Sequence, residues 1–427
     1  MRFLKRPALR LAAPALAAGA LLLGSAHMGA RPAAPPAGGP SPPGKWRTWQ
    51  EFVAAHWAHP LPPMGPPPAS YKAEERSLLP EACGKCHPDQ YNQWKTTIHS
   101  KAMGPGVYGQ LVDLWAADPE QARGCNECHA PLAEQQKRWP AGAGPLAPWG
   151  ENPAHLPALE MAGLACASCH VRNWRVHGPP KKDAPEGAEG STAEGAHGGV
   201  ERTPFFGQSE FCMRCHQHEG EGPNGKPIQN TYREWRASLF GREGVPCQSC
   251  HMPGRQHLWR GIHDVEMVQG ALGVEVALEA RPPRGAAAAT ITLTNQGAGH
   301  HLPTYITPSI EVIAELETKE GRALPGTRQV ALIERRLSPD FSQEISDTRI
   351  PAQASFVMDY KRARPAGAAR LRVRVHVKPD NFYHGFFVGF LQNPGISPQA
   401  RKLIAEARDQ AARSAFDIYD ERFDLPG

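Results

Sequence analysis

CGKCHPDQYNQWKTTIHSKAM, residues 83–103, opens with two cysteines three positions apart and a histidine directly after the second. The same C-x-x-C-H pattern returns as CNECH at 125–129, CASCH at 166–170, CMRCH at 212–216 and CQSCH at 247–251. The copies use Cys83 and Cys86, Cys125 and Cys128, Cys166 and Cys169, Cys212 and Cys215, and Cys247 and Cys250. Those are all 10 cysteines of a 427-residue chain, so none is left over for another use.

Spacing and residue type together point to one chemistry. Two thiols so placed add to the two vinyl groups of a porphyrin, and the adjacent imidazole lies under the ring and binds the iron. The pattern therefore predicts five covalently attached haem c groups with His87, His129, His170, His216 and His251 as proximal ligands. Five disulfides would leave five histidines unexplained, and zinc sites that take two C-x-x-C pairs per metal cannot divide five pairs evenly. Composition agrees: 44 Pro and 42 Gly break up regular structure, and only 41% of residues are hydrophobic. Five large apolar macrocycles would stand in for core side chains.

Arg2, Lys5, Arg6 and Arg10 precede the apolar run Leu11–Leu23, and Gly24, Ser25 and Ala26 follow it. That is a signal peptide over 1–26, which implies a periplasmic or extracellular location. The run is shorter than the ~20 residues a span needs and contains Pro14, so no membrane span is expected in the mature chain. The 47 basic and 42 acidic side chains give +5. Losing four basic residues with the leader brings the mature chain near neutrality, which excludes nucleic acid as a partner on charge. Ten propionates against five ferric centres then make the loaded protein net acidic, which suits a basic redox partner surface.

Residues 27–76 form a Pro-rich N-terminal segment with one short helix, whose Trp46, Trp49, Val53 and Trp57 fall near one face. The pentahaem cytochrome c domain is expected over 77–268, with a flexible loop at 179–200. After it the hydrophobic period becomes two: Leu272, Val274, Val276 and Leu278 alternate with small or charged residues, as do Ile310–Leu316 and Leu371–Val377. With further strands at Thr290–Thr294, Gln329–Glu334 and Ser355–Tyr360, residues 269–390 predict an antiparallel β-sandwich. Ser397 and Pro398 start a C-terminal helix within a 391–427 helix and tail. The fold class is thus a mostly α and irregular multihaem domain with few strands, followed by an antiparallel β-sandwich domain and a C-terminal helix.

YNQWKTTIHSKAM, SEFCMRCHQ, TYREWRAS, VPCQSCHMP and GAGHHLPT resemble the periplasmic multihaem cytochromes c related to the tetrahaem electron acceptor of hydroxylamine oxidoreductase. The resemblance covers about residues 77–305. It implies low-spin haems with an axial histidine on each face, stacked closely enough for electrons to hop. His99 matches the family's distal ligand after W-x-x-x-x-H, and His177, His197, His257 and His263 are further candidates, with His300 in reserve. The segment before the fifth motif repeats the first, with Tyr232 and Trp235 matching Tyr91 and Trp94, but Phe240 stands where His99 does. Met103, Met213 and Met252 are read as packing.

Two functions follow from these readings. The first is an electron carrier serving redox protein partners, for example a membrane quinol-oxidising cytochrome or a terminal reductase, with no catalytic residue. The alternative is an oxidoreductase acting on a small nitrogen or sulfur compound at one haem with an open position. Relatives of the family include both. The C-x-x-C-K motif of cytochrome c nitrite reductase is missing, which argues against that enzyme.

Overall fold

The computed structural model describes residues 46–142, 147–182, 190–191, 195–218, 220 and 222–426. The expected signal peptide and the centre of the 179–200 loop lie outside them.

In the N-terminal half, short helices are strung between turns. Helix α1 (Trp49–His56) starts where the Thr48 hydroxyl accepts the Glu51 N–H, and it buries Phe52, Val53 and His56. Its apolar face meets Phe205, Phe206 and Phe211, so it packs on the shell of the cysteine motifs as its spacing suggested. The His56 ring is held at 2.8 Å by the Cys169 carbonyl. Helices α2 (Pro105–Ala117) and α3 (Pro119–His129) form a hairpin at Asp118, whose carboxylate accepts from Gln121 N–H, and α3 ends on the second motif. The third and fifth motifs are each a single helical turn, Cys166–His170 and Cys247–His251, and the fourth ends the helix Glu210–His216. The ends of the 179–200 segment are stitched by a small sheet in which Val176 pairs in parallel with Val200.

Beyond residue 271 the chain becomes sheet. Strands β1 (Leu272–Leu278), β2 (Ala286–Asn295), β3 (Ser309–Glu317), β4 (Gln329–Ile333), β5 (Arg335–Leu337), β6 (Glu344–Asp347), β7 (Ser355–Ala363) and β8 (Arg370–Lys378) follow in order. One sheet runs β7-β2-β1; another runs β4-β3-β8 and ends on a last strand, β9 (Phe416–Asp424). All these pairings are antiparallel. Ile291, Leu293, Met358 and Tyr360 of the first sheet and Ile310, Val312, Leu316, Val373 and Val375 of the second enter one shared core. The six strands expected from the period-two pattern all form.

The C-terminus differs from the expected single helix and tail. Two helices, α4 (Asn381–Leu391) and α5 (Pro398–Arg413), precede β9, and β9 pairs with β8. A bulge between Val375 and His376 shifts that register, so the apolar Phe416, Ile418 and Phe423 do not alternate in one phase and the strand escapes a period-two search. Helix α5 begins as anticipated: Ser397 accepts the Ala400 N–H, Pro398 follows, and Ile404 and Ala407 are buried. It lies on α2 at Gly109, where a Cβ would sit 3.0 Å from Ile404 and Leu403.

The β5–β6 hairpin docks onto the segment before the fifth motif through buried charge. Arg335 donates to Glu344 at 2.9 Å and to the Lys226 carbonyl at 3.0 Å. Arg349 bridges Asp347 and Glu234, each at 2.8 Å. Glu234 in turn accepts from the Thr304 hydroxyl at 2.9 Å, tying the GHHLPT loop to the same cluster.

Candidate haem sites

Among the described residues, the apolar clusters of the N-terminal half are small, the largest built on eight buried residues around Leu132 and Leu159. Between them runs a cavity of about 2380 Å³ lined by cysteines and histidines from all five motifs. An ordinary ligand pocket spans about 300–1,000 Å³, so this space suits several large groups rather than one. Its walls are mainly apolar side chains, as a porphyrin requires.

Histidines face one another in pairs across that cavity. His87 and His197 have ring centres 6.5 Å apart at 17°, and His251 and His300 are 6.4 Å apart at 11°. His170 and His257 are 6.2 Å apart, and His216 and His99 6.1 Å apart. Two metal–nitrogen bonds of about 2 Å, plus the distance from each ring centre to its nitrogen, require roughly this spacing. Each pair joins one motif histidine to one histidine from elsewhere in the chain.

The tautomers suit the same purpose. His129 Nδ1 donates to the Ala102 carbonyl at 2.8 Å, His170 Nδ1 to the His177 carbonyl at 2.9 Å, and His251 Nδ1 to the Arg260 carbonyl at 2.6 Å. His216 Nδ1 is hydrogen-bonded to the Tyr305 hydroxyl. A proton fixed on Nδ1 leaves Nε2 with its lone pair free for a metal, and the acceptor sets the ring's orientation. Burial, with His216 and His251 close by, pushes His99 down to about 3. Burial likewise takes His170 and His216 to about 4. All three are therefore neutral near pH 7, the form that ligates.

Among the distal candidates, His99, His197 and His257 face motif histidines, and so does the reserve His300. His177 and His263 do not. The His177 ring turns to Glu201 at 3.2 Å and packs on His56, and only its carbonyl serves a motif histidine. The His263 ring is held by both Asp380 oxygens at 3.1 Å. His197 has a left-handed backbone, φ 63°, pinned by its N–H to Glu75 and its carbonyl to the Tyr71 hydroxyl. Met103 is buried among Leu111, Trp115 and Ala122, in keeping with a packing role. No imidazole faces His129 at pair spacing among the described residues.

The two sequence repeats are one structure built twice. Trp94 Nε1 donates to the Leu164 carbonyl at 2.7 Å, and Trp235 Nε1 to the Val245 carbonyl at 2.9 Å. Both acceptors sit two residues before a motif's first cysteine. The Thr97 and Ser238 hydroxyls each close back onto the preceding tryptophan carbonyl at 2.7 Å. Leu164 N–H and Val245 N–H donate to the carbonyls of His99 and Phe240, each at 2.9 Å. His99 thus clasps the third motif and faces His216 of the fourth. Phe240 clasps the fifth motif, after which no further motif remains to be served, and its ring packs on Gly299 instead.

Thiol contacts give the spatial order of the motifs. Cys83 meets Cys166, Cys128 meets Cys215, and Cys212 meets Cys247. The first motif is therefore beside the third, the second beside the fourth, and the fourth beside the fifth.

Residues 82–144 match the family of cytochrome c554 and c-prime. A cytochrome c-552 of Aliarcobacter butzleri (strain RM4018) is 27% identical over 192 residues, which is 43% of this chain and 36% of that protein. The match thus spans about a third of the relative's length. The penta-haem cytochrome c552 from Thermochromatium tepidum superposes with a TM-score of 0.56 over 83% of this chain and 100% of its own, at 19% identity, which is a likeness of fold. Among the described residues no helix is long and apolar enough to cross a membrane. These likenesses and the five cysteine motifs together support a multihaem cytochrome c.

Proposed function

We propose that the chain is an exported pentahaem c-type cytochrome that passes electrons between redox partners. The observation that carries this is the one-to-one pairing of four motif histidines with four others at 6.1–6.5 Å. A haem with imidazole on both faces is low-spin and closed to exogenous ligands, which suits it to electron transfer. In this reading the distal ligands are His197 for the first motif, His257 for the third, His99 for the fourth and His300 for the fifth. The protein's part is to set potentials by burial, hydrogen bonding and ligand choice. The two sheets beyond residue 271 are read as a β-sandwich that caps the haem array, and the acidic loaded protein as one that meets a basic partner.

A second reading is favoured by His129, which no imidazole faces among the described residues. An iron held there on one side only could bind and reduce or oxidise a small nitrogen or sulfur compound, fed with electrons through the adjacent fourth haem. Electron paramagnetic resonance of the ferric protein, followed by carbon monoxide titration after reduction, separates the two. Four low-spin haems and one that binds carbon monoxide are expected. Five low-spin haems with no carbon monoxide shift would leave the carrier alone. Two or more reactive haems would overturn the pairing.

A further inference from the structure

Arg172 stands two residues after the histidine of the third motif. The other four motifs place Asp89, Pro131, His218 and Pro253 at that position, so only the third carries a fixed positive charge there. Arg172 Nε donates to the His56 carbonyl at 2.6 Å, Nη1 to the carbonyls of Val171 at 2.6 Å and Ala167 at 3.2 Å, and Nη2 to the Ser168 carbonyl at 2.8 Å. The guanidinium also lies over the Trp57 ring, 5.0 Å from its centre. Four of its five N–H groups are thus used, and none of these four partners is a carboxylate. Other basic groups differ. Arg335 pairs with Glu344, and Arg349 with Asp347 and Glu234. Arg214 of the fourth motif donates to His59, whose other nitrogen meets Glu127 at 2.8 Å. Lys85 of the first motif is exposed and meets Glu74 at 3.2 Å.

The motif itself locates this charge. Ala167 and Ser168 are the two residues between Cys166 and Cys169, so a guanidinium that grips their carbonyls sits at the thioether edge of the third haem. A haem carries its propionates on the opposite edge, so the ring separates them from Arg172. The carbonyls of His56 and Ser168 belong to the last turns of α1 and of the motif helix, where backbone dipoles favour a cation. They hold the charge without cancelling it, because the field of a dipole fades faster with distance than that of a charge.

We propose that Arg172 sets the potential of the third haem, and that its fixed charge makes this the first of the four paired haems to accept an electron. The inference rests on the reading that His170 and His257 hold that haem between them. On reduction the iron passes from ferric to ferrous with one electron taken from the reducing partner, and no bond forms or breaks. The haem gains one negative charge, so a positive charge beside it in low-dielectric surroundings favours the reduced form. Arginine stays protonated in proteins, which makes the bias permanent. Since the thiols of the first and third motifs meet at Cys83 and Cys166, an electron arriving at the first haem finds a lower-energy resting place one step away.

The test is a potentiometric titration of the fully loaded protein, followed by optical and paramagnetic resonance spectra. In Arg172→Gln one of the five components should fall by about 59 mV, a tenfold shift in a one-electron equilibrium, while the other four stay in place. Arg172→Lys keeps the charge and should restore that component. If no component moves in Arg172→Gln, or if Arg172→Lys moves it equally far, the charge does not set the potential and the proposal is refuted. A measurement on the unsubstituted protein stands apart from the folding of either variant. The low-spin signal that His257→Ala removes belongs to the third haem, and in the unsubstituted protein it should be the first of the four to vanish on reduction. Another signal vanishing first would overturn the proposal. If His257→Ala removes no low-spin signal, the pairing of His170 with His257 is refuted instead, and the shift in Arg172→Gln still decides the role of Arg172.

Discussion

His99 and Phe240 occupy one position in two copies of the same small structure, and the difference between them is chemical. His99→Ala should leave five haems attached but turn one further iron high-spin and reactive to carbon monoxide, because His216 would lose the ring 6.1 Å across from it. Phe240→Ala should disturb packing at Gly299 and leave every spin state as it was. Pyridine haemochrome counts the haems, and paramagnetic resonance reads the spin. Unchanged low-spin signals in His99→Ala would make His99 an ordinary buried histidine. The attachment residues were readable from the sequence because their spacing is local and covalent chemistry dictates it. The facing residues were only partly readable. His257 lies six positions after His251 yet faces His170, whereas the partner of His251 is His300, brought back from beyond β2. Chain distance says little about which histidine a loop returns.

At the level of elements, strands betrayed themselves by period and the haem-site loops did not. Six strands were legible because one face of each enters a shared apolar core; β9 was hidden by a bulge. The C-terminal helix was legible from Ser397, Pro398 and its apolar stripe. Ile404, fully buried against Gly109 of α2, is its anchor. Ile404→Ala should cost about 2–5 kcal/mol by thermal or denaturant unfolding. The charged seam under β5–β6 adds a pH dependence. Burial pushes the Asp347 carboxyl up, but Arg349 and Lys226 outweigh it and hold the group well below the usual carboxylate range. A depressed folded value means stability that is full above the unfolded value of about 4 and is lost as pH falls below it. Asp347→Asn should therefore destabilise the protein at pH 7 and flatten the acid limb of its stability curve. An acid limb identical to that of the unsubstituted protein would show that Asp347 does not contribute to it.

For the whole molecule, the two halves solve the burial problem differently. The sheets own a continuous core, from Leu272 to Ile418, whereas the N-terminal half surrounds a cavity of about 2380 Å³. A chain made without haem attachment should therefore keep a protease-resistant piece from about residue 270 onward while residues 77–268 are digested, as mass spectrometry of a limited digest would reveal. Complete digestion would mean that the sheets need the haem half. The thiol contacts have a consequence in time as well as in space. Thiols meet between the first and third motifs, the second and fourth, and the fourth and fifth, whereas the first two motifs, consecutive in the chain, share no such thiol contact among the described residues. A polypeptide threaded through a membrane amino end first would carry its first two porphyrins as isolated islands. The third would create the first conducting pair, and the fourth would link the second. A chain truncated after its second motif would thus hold two haems without a thiol-linked neighbour, and each later motif would add one such link.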